Sequence, residues 1–159
     1  GFSTYHLAMN SSPETEIYTL NLPINNSQPV QNLKRMSLME YFGDNTTHLE
    51  LLKRGIGTVY KDCPQAHKIK QLYGDSLTYD FSSFKGKIDL CFIDGGHSFK
   101  CLFKDTANTM EMLSDRGIII WHDFNIQHKD IYKFLIELSK KYKLFWIKNT
   151  RLVVFFKAL

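Results

Sequence analysis

The 159-residue sequence predicts an α/β domain: an open, mainly parallel sheet with helices on both faces and an antiparallel hairpin at its C-terminal end. Three observations carry this expectation. Ile88-Asp89-Leu90-Cys91-Phe92-Ile93 and Ile118-Ile119-Ile120-Trp121 are nearly continuous apolar runs, the pattern of strands covered on both faces. A segment of helical period follows each run. Near the C-terminus, two further apolar runs flank the polar stretch Lys148-Asn149-Thr150-Arg151, as in a hairpin.

The elements follow in order along the chain. Phe2 to Asn10 reads as a short helix with Ser3 and Thr4 as caps, ended by Asn10-Ser11-Ser12-Pro13. Glu16 to Leu20 is β-branched and aromatic enough for a strand, and Asn21-Leu22-Pro23 stops it. Residues 24–66 are the least regular, rich in Asn, Ser and Thr, with one helix expected at Thr47 to Arg54. An insertion of this length suits a lid or substrate loop as well as an irregular surface. Lys68 to Tyr73 is a short strand ending at Gly74-Asp75-Ser76, and Ile88 to Ile93 is the next strand. Phe99, Leu102, Phe103, Met110 and Leu113 keep near-helical spacing, and Arg116-Gly117 is expected to break that helix before Ile118 to Trp121. Ile131, Phe134, Leu135 and Leu138 then mark an amphipathic helix, and Leu144 to Ile147 with Leu152 to Phe156 close the chain.

Composition narrows the function classes. One domain spanning residues 1–159 is long enough to bury a core, and 43% hydrophobic with 23% charged residues is ordinary for a globular chain. No apolar run approaches the roughly 18 residues that would span a bilayer. The net charge of +4 is mild, and the lysines between Lys129 and Lys157 lack the aromatic interleaving of a nucleic-acid surface. Cys63, Cys91 and Cys101 are an odd set without metal-site spacing, which suits a reduced, cytoplasmic protein. A start at Gly1-Phe2-Ser3-Thr4, without methionine, is expected of a fragment or a processed chain.

In open α/β sheets, ligands bind beyond the carboxyl ends of the strands. Four successive strand ends here carry polar residues: Asn21, Asp75-Ser76, Asp94 to His97, and His122-Asp123. Together they point to a functional site rather than to chance turns. His97 is the candidate general base, since imidazole titrates near neutrality and two glycines precede it. Asp105, two turns into the following helix, reads as a surface or supporting carboxylate. His6, His48, His67 and His128 have no motif around them.

Taken with Gly1-Phe2-Ser3-Thr4, Ile17 to Asn21 and Gly74-Asp75-Ser76, the pair Asp94-Gly95-Gly96-His97 and His122-Asp123-Phe124 resembles the class I S-adenosylmethionine-dependent methyltransferases. The resemblance is closest to their small-molecule O-methyltransferase branch, and spans nearly the whole chain outside the irregular stretch. It implies a Rossmann-like sheet, S-adenosylmethionine as cofactor and a small hydroxylated metabolite or sugar as substrate, without nucleic-acid or membrane partners. A homo-oligomer remains open. Gly1 would be the last glycine of the cofactor loop, with Ser3 beside it. Asn21 stands where the family normally carries an acidic ribose ligand, and Asp75 and Ser76 would lie beside the adenine. Asp94 would serve both cofactor and catalysis, with His97 as base. Asp94 and Asp123 would help hold a divalent cation such as Mg2+; Phe124 replaces the family's usual amide ligand, and His122 or Asn125 would substitute for it.

By the same resemblance the family's first strand and most of its glycine loop precede Gly1. Three outcomes are then expected: direct pairing of the strands ending at Asn21 and Asp94, a borrowed strand, or a partial chain. Cofactor affinity should be poor. The rival functions are a methyltransferase-like domain that binds or assembles without catalysis, and another enzyme on the same sheet. A nucleotide-sugar enzyme would need a phosphate loop of its own, and none is visible.

Overall fold

A computed structural model of the chain describes residues 1–22 and 55–159. They fall into two compact units, residues 1–22 with 55–78 and residues 79–159. The helix expected at Thr47 to Arg54, and most of the irregular stretch, lie outside the described residues.

The first unit holds α1 (Phe2–Asn10), β1 (Ile17–Asn21) and β2 (Ile69–Tyr73). Residues 2–10 are helical, not a strand. Neither Ser3 nor Thr4 caps the helix: Gly1 is the N-cap and its carbonyl accepts from Tyr5 N at 3.0 Å. Thr4 lies inside the first turn, and its Oγ1 donates instead to Thr19 Oγ1 of β1 at 3.4 Å. At the other end the open carbonyls of α1 are met by Lys68. Its Nζ donates to Ala8 O at 2.8 Å, Ser11 O at 3.0 Å and Ser11 Oγ at 2.7 Å, with the residue only 5% exposed. The cation also suits the negative end of the helix dipole. β1 and β2 run parallel, from Ile17 opposite Ile69 to Asn21 opposite Tyr73.

The second unit holds β3 (Ile88–Ile93), α2 (Phe99–Met112), β4 (Leu113–Trp121), α3 (Lys129–Ser139), β5 (Leu144–Trp146) and β6 (Val153–Phe156). Its sheet runs β3-β4-β6-β5, with β3 parallel to β4 and the expected antiparallel hairpin formed by β5 and β6. Among the described residues, the strand ending at Asn21 bonds to β2 and the strand that runs into Asp94 bonds to β4.

The boundary between α2 and β4 also differs from expectation. The helix stops at Met112, not at Arg116-Gly117, and Leu113 is already extended. Residues next to β3 draw the change, since Gly86 N and Lys87 N donate to the carbonyls of Glu111 and Met112 at 3.0 and 2.9 Å. Gly117 keeps a separate role inside β4. A Cβ there would sit 2.8 Å from Leu113 Cδ2 and 3.0 Å from the Ile88 carbonyl oxygen, so only glycine allows this approach.

One face of the sheet, carrying Ile93, Ile119, Trp121, Val153 and Phe155, packs with Leu102 of α2 and Ile131, Phe134 and Leu135 of α3. Phe99 and Phe134 meet edge to face, with centroids 5.5 Å apart, and join the two helices. Among the described residues of this unit, both helices thus share one face of the sheet. At the end of β4, Trp121 Nε1 donates to Thr106 Oγ1 of α2 at 3.0 Å. The three cysteines are free, Cys101 buried and Cys63 and Cys91 half-buried. Among the described residues no helix is long and apolar enough to cross a membrane.

Candidate functional site

Parallel pairing of β3 and β4 brings their carboxyl ends to one edge, with Ile93 opposite Trp121. His122 N continues the ladder by donating to Ile93 O at 3.1 Å, so Asp94 and His122 leave the sheet side by side. After Asp94 the chain needs room. A Cβ on Gly95 would stand 3.2 Å from Asp105 Oδ2, and Gly96 is buried. The loop then feeds α2, where Ser98 Oγ accepts from Cys101 N at 3.3 Å. Asp105 is thus half-buried under the loop. After His122, Asp123 adopts a left-handed backbone with φ of 59°. Aspartate tolerates that region better than most side chains. The turn is fixed where Phe124 N donates to Arg151 O at 3.0 Å.

Asp123 is the hub of the resulting cluster, its side chain only 14% exposed. Its Oδ2 lies 3.2 Å from His97 Nε2 and 3.2 Å from His122 Nδ1. Its Oδ1 lies 3.8 Å from His128 Nε2 and 3.7 Å from Arg151 Nη1. Asp94 Oδ1 approaches the same His122 Nδ1 at 3.0 Å. That nitrogen is buried between two carboxylates yet has no partner at hydrogen-bonding angles. Burial pushes the Asp94 carboxyl above its usual range, and the charge of Asp123 adds to this, while His122 and His97 oppose it. A small cleft between the strand ends is lined by Asp94, Gly95, His97, His122 and Asp123, over a floor that includes Trp121 and Leu102.

The structure therefore brings together Asp94, His97, His122 and Asp123. The cofactor candidates Gly1, Ser3, Asn21, Asp75 and Ser76 belong to the first unit. Ser3 is exposed on α1. Asn21 Oδ1 accepts from Gln71 Nε2 at 3.2 Å, and Gln71 Oε1 in turn accepts from Tyr60 OH. Asp75 closes a turn after β2, its Oδ1 accepting from Leu77 N at 2.9 Å. Asn125 is not placed as a cation ligand. Its Oδ1 accepts from Gln127 N at 2.7 Å and His128 N at 3.2 Å, capping the approach to α3.

Two residues of the cluster were not anticipated. His128 has no motif around it, but it is the N-cap position of α3, on the short segment between the end of β4 and that helix. Such segments line the ligand edge of α/β sheets, and that was the available signal. Arg151 sits in the hairpin turn and reaches Asp123 through the bond from Phe124, a contact no local pattern announces.

Three donor atoms, from Asp94, His122 and Asp123, lie within 4.8 Å of one another, and so do those of His97, Asp123 and His128. Two carboxylates and an imidazole form a donor set suited to a divalent cation. A nearby histidine paired with a carboxylate suits proton transfer. A family profile described as a methyltransferase domain matches residues 1–124. The chain is also similar to the solved structure of the O-methyltransferase NovP, with 13% identity and a TM-score of 0.57. That match covers 92% of this chain and 61% of the NovP chain, so this chain spans under two thirds of that protein's length. At this identity the likeness is one of fold. No curated protein sequence matches the chain.

Proposed function

Because the chain belongs to the methyltransferase-domain family, we propose that it moves a methyl group from S-adenosylmethionine to a hydroxyl oxygen of a small metabolite or sugar. The observation that carries the reading is the convergence of Asp94, His97, His122 and Asp123 on one cleft at the ends of β3 and β4. When bound, S-adenosylmethionine supplies an activated methyl on sulfur. Methyl transfer then asks the protein for alignment of the acceptor and for removal of its proton.

His97 is assigned the proton. Asp123 faces its Nε2 at 3.2 Å, which keeps the ring hydrogen on that nitrogen and the accepting lone pair on Nδ1. The buried carboxylate also stabilises the imidazolium once the proton arrives. Asp94, His122 and Asp123 are assigned to a divalent cation that would lower the pKa of the acceptor hydroxyl. The residues fit such an ion. The His122 nitrogen is buried without a hydrogen-bond partner, and two carboxylate oxygens lie beside it. Two carboxylates suit Mg2+, and the imidazole extends the choice to Mn2+. Gly1, Ser3, Asn21, Asp75 and Ser76 are assigned to the cofactor by resemblance.

A second reading, a domain that binds without catalysing, is favoured by Asn21. A neutral amide already engaged by Gln71 replaces a ribose-binding carboxylate.

Labelled S-adenosylmethionine and a panel of hydroxylated metabolites, with and without Mg2+, test the proposal. Label should appear on acceptor oxygen. Asp94→Ala and His97→Ala should remove it with folding retained, the latter by a factor of about 10²–10⁴. Unchanged turnover in both variants would overturn the site assignment. Cofactor binding with no methylated product would favour the second reading.

A further inference from the structure

Asp123 belongs to two sets of donors, and the cation assigned above uses only one. The other is His97 Nε2, 3.2 Å from Asp123 Oδ2, and His128 Nε2, 3.8 Å from Asp123 Oδ1. The two imidazoles stand edge to face, with centroids 4.7 Å apart. We propose that His97, Asp123 and His128 form a second cation site, selective for a transition metal such as Zn2+, which silences the enzyme by taking His97 as a ligand.

The donor chemistry separates the two sites. Mg2+ seeks oxygen and keeps its waters, whereas two imidazoles and one carboxylate are a set that Zn2+ binds well. Zinc bonds of about 2.0–2.1 Å need donor atoms closer together than the present spread of up to 4.8 Å. The histidines can supply that movement, because their side chains are 45% and 31% exposed. His128 is also uncommitted to its helix, since it sits at the N-cap of α3 and makes no side-chain capping bond. Its backbone is held by bonds from its N–H to Asn125, so the ring turns about a fixed point. Arg151 competes for the same carboxylate oxygen from 3.7 Å, but its side chain is 58% exposed and can swing into solvent. The cleft lined by His97 and Asp123 leaves a direction from which water completes the coordination.

A filled site would occupy the His97 imidazole and remove the proton acceptor. This consequence rests on the methyl-transfer reading, whereas the binding does not, and the experiment keeps them apart. Zn2+ is titrated calorimetrically into the chain in excess Mg2+, without cofactor or acceptor. One zinc should bind per chain. His128→Ala and His97→Ala should each weaken it by about tenfold or more, and His122→Ala should change it by less than about threefold. Loss of binding in His122→Ala but not in His128→Ala would place zinc on the other triad and overturn the proposal, as would absence of binding. On the unaltered chain, zinc should shield His97 and His128 from diethyl pyrocarbonate while the exposed His6 and His67 still react. An unshielded His128 would refute the site without recourse to variants. If the chain transfers methyl groups, zinc should inhibit it less in His128→Ala than in the unaltered chain. A chain that binds zinc in this pattern but methylates nothing would defeat the methyl-transfer reading and leave the zinc site standing.

Discussion

Replacing Thr106 by Val keeps the shape of a buried residue and removes one oxygen. Thr106 is 5% exposed and Trp121 fully buried, and the indole Nε1 donates to Thr106 Oγ1 at 3.0 Å. In Thr106→Val the indole N–H stays in the core without a partner, a defect that costs about 1–3 kcal/mol. Threonine and valine have nearly equal helix propensities, so the helical contribution cancels. The added methyl group recovers a little through burial, which leaves an expected loss of about 1–2 kcal/mol. For a chain of this length each kcal/mol lowers Tm by about 2–4 °C, so circular dichroism should show a fall of about 2–8 °C. Trp121→Phe tests the pairing itself. There the freed threonine hydroxyl can turn to a carbonyl one turn back in α2, so the double variant should lose less than the sum of the singles. The coupling should be about 0.5–1.5 kcal/mol. An unchanged Tm in Thr106→Val, or strict additivity in the cycle, would refute the claim that this bond fastens α2 to the strand that ends at the site.

Lys68→Met should cost about 1–3 kcal/mol in urea denaturation, because the carbonyls of Ala8 and Ser11 lose their buried donor. An unchanged midpoint would mean that water serves α1 equally well. Cys91 supplies a pH test: burial pushes its thiol above the usual thiol range, the charge of Asp105 adds to this, and a bond with Thr109 opposes it. In alkali the unfolded chain therefore loses this proton before the folded chain does, so stability should fall as pH rises above the ordinary thiol pKa. Cys91→Ala should soften that alkaline fall in Tm, and an identical pH profile in both proteins would refute the assignment.

What could be read from the chain were features whose cause is local. The apolar run Ile88 to Ile93 is a strand in the structure with the same ends, although only Ile93 is buried and Leu90 is exposed rather than covered. Ile131, Phe134 and Leu135 are the buried stripe of α3, as their spacing requires. The end of α2 was not legible, because Leu113 satisfies the helical period and the strand equally well. Bonds from Gly86 and Lys87 decide between them, and no window around Leu113 contains that information. The separate ladders of β1 with β2 and β3 with β4 are likewise decided by strand partners. Both helices of the second unit share one face for the same kind of reason, a contact between Phe99 and Phe134 that joins α2 to α3.

Asp123 shows where local pattern ends and geometry begins. Its polarity at the end of an apolar run marked it as a candidate site residue. Its partners His97, His128 and Arg151 come from three segments: the loop before α2, the start of α3, and the hairpin turn. Only the parallel pairing of β3 with β4, and the bond from Phe124 to Arg151, bring those segments to one carboxylate. The left-handed backbone at Asp123 makes this a demanding position, because a substitution there changes both charge and conformational cost. Asparagine is the replacement that separates them, since it tolerates the same φ while removing the charge on which both donor sets depend. A loss of cation binding in Asp123→Asn therefore reports the carboxylate alone, whereas the same loss in Asp123→Ala would mix it with a strained turn.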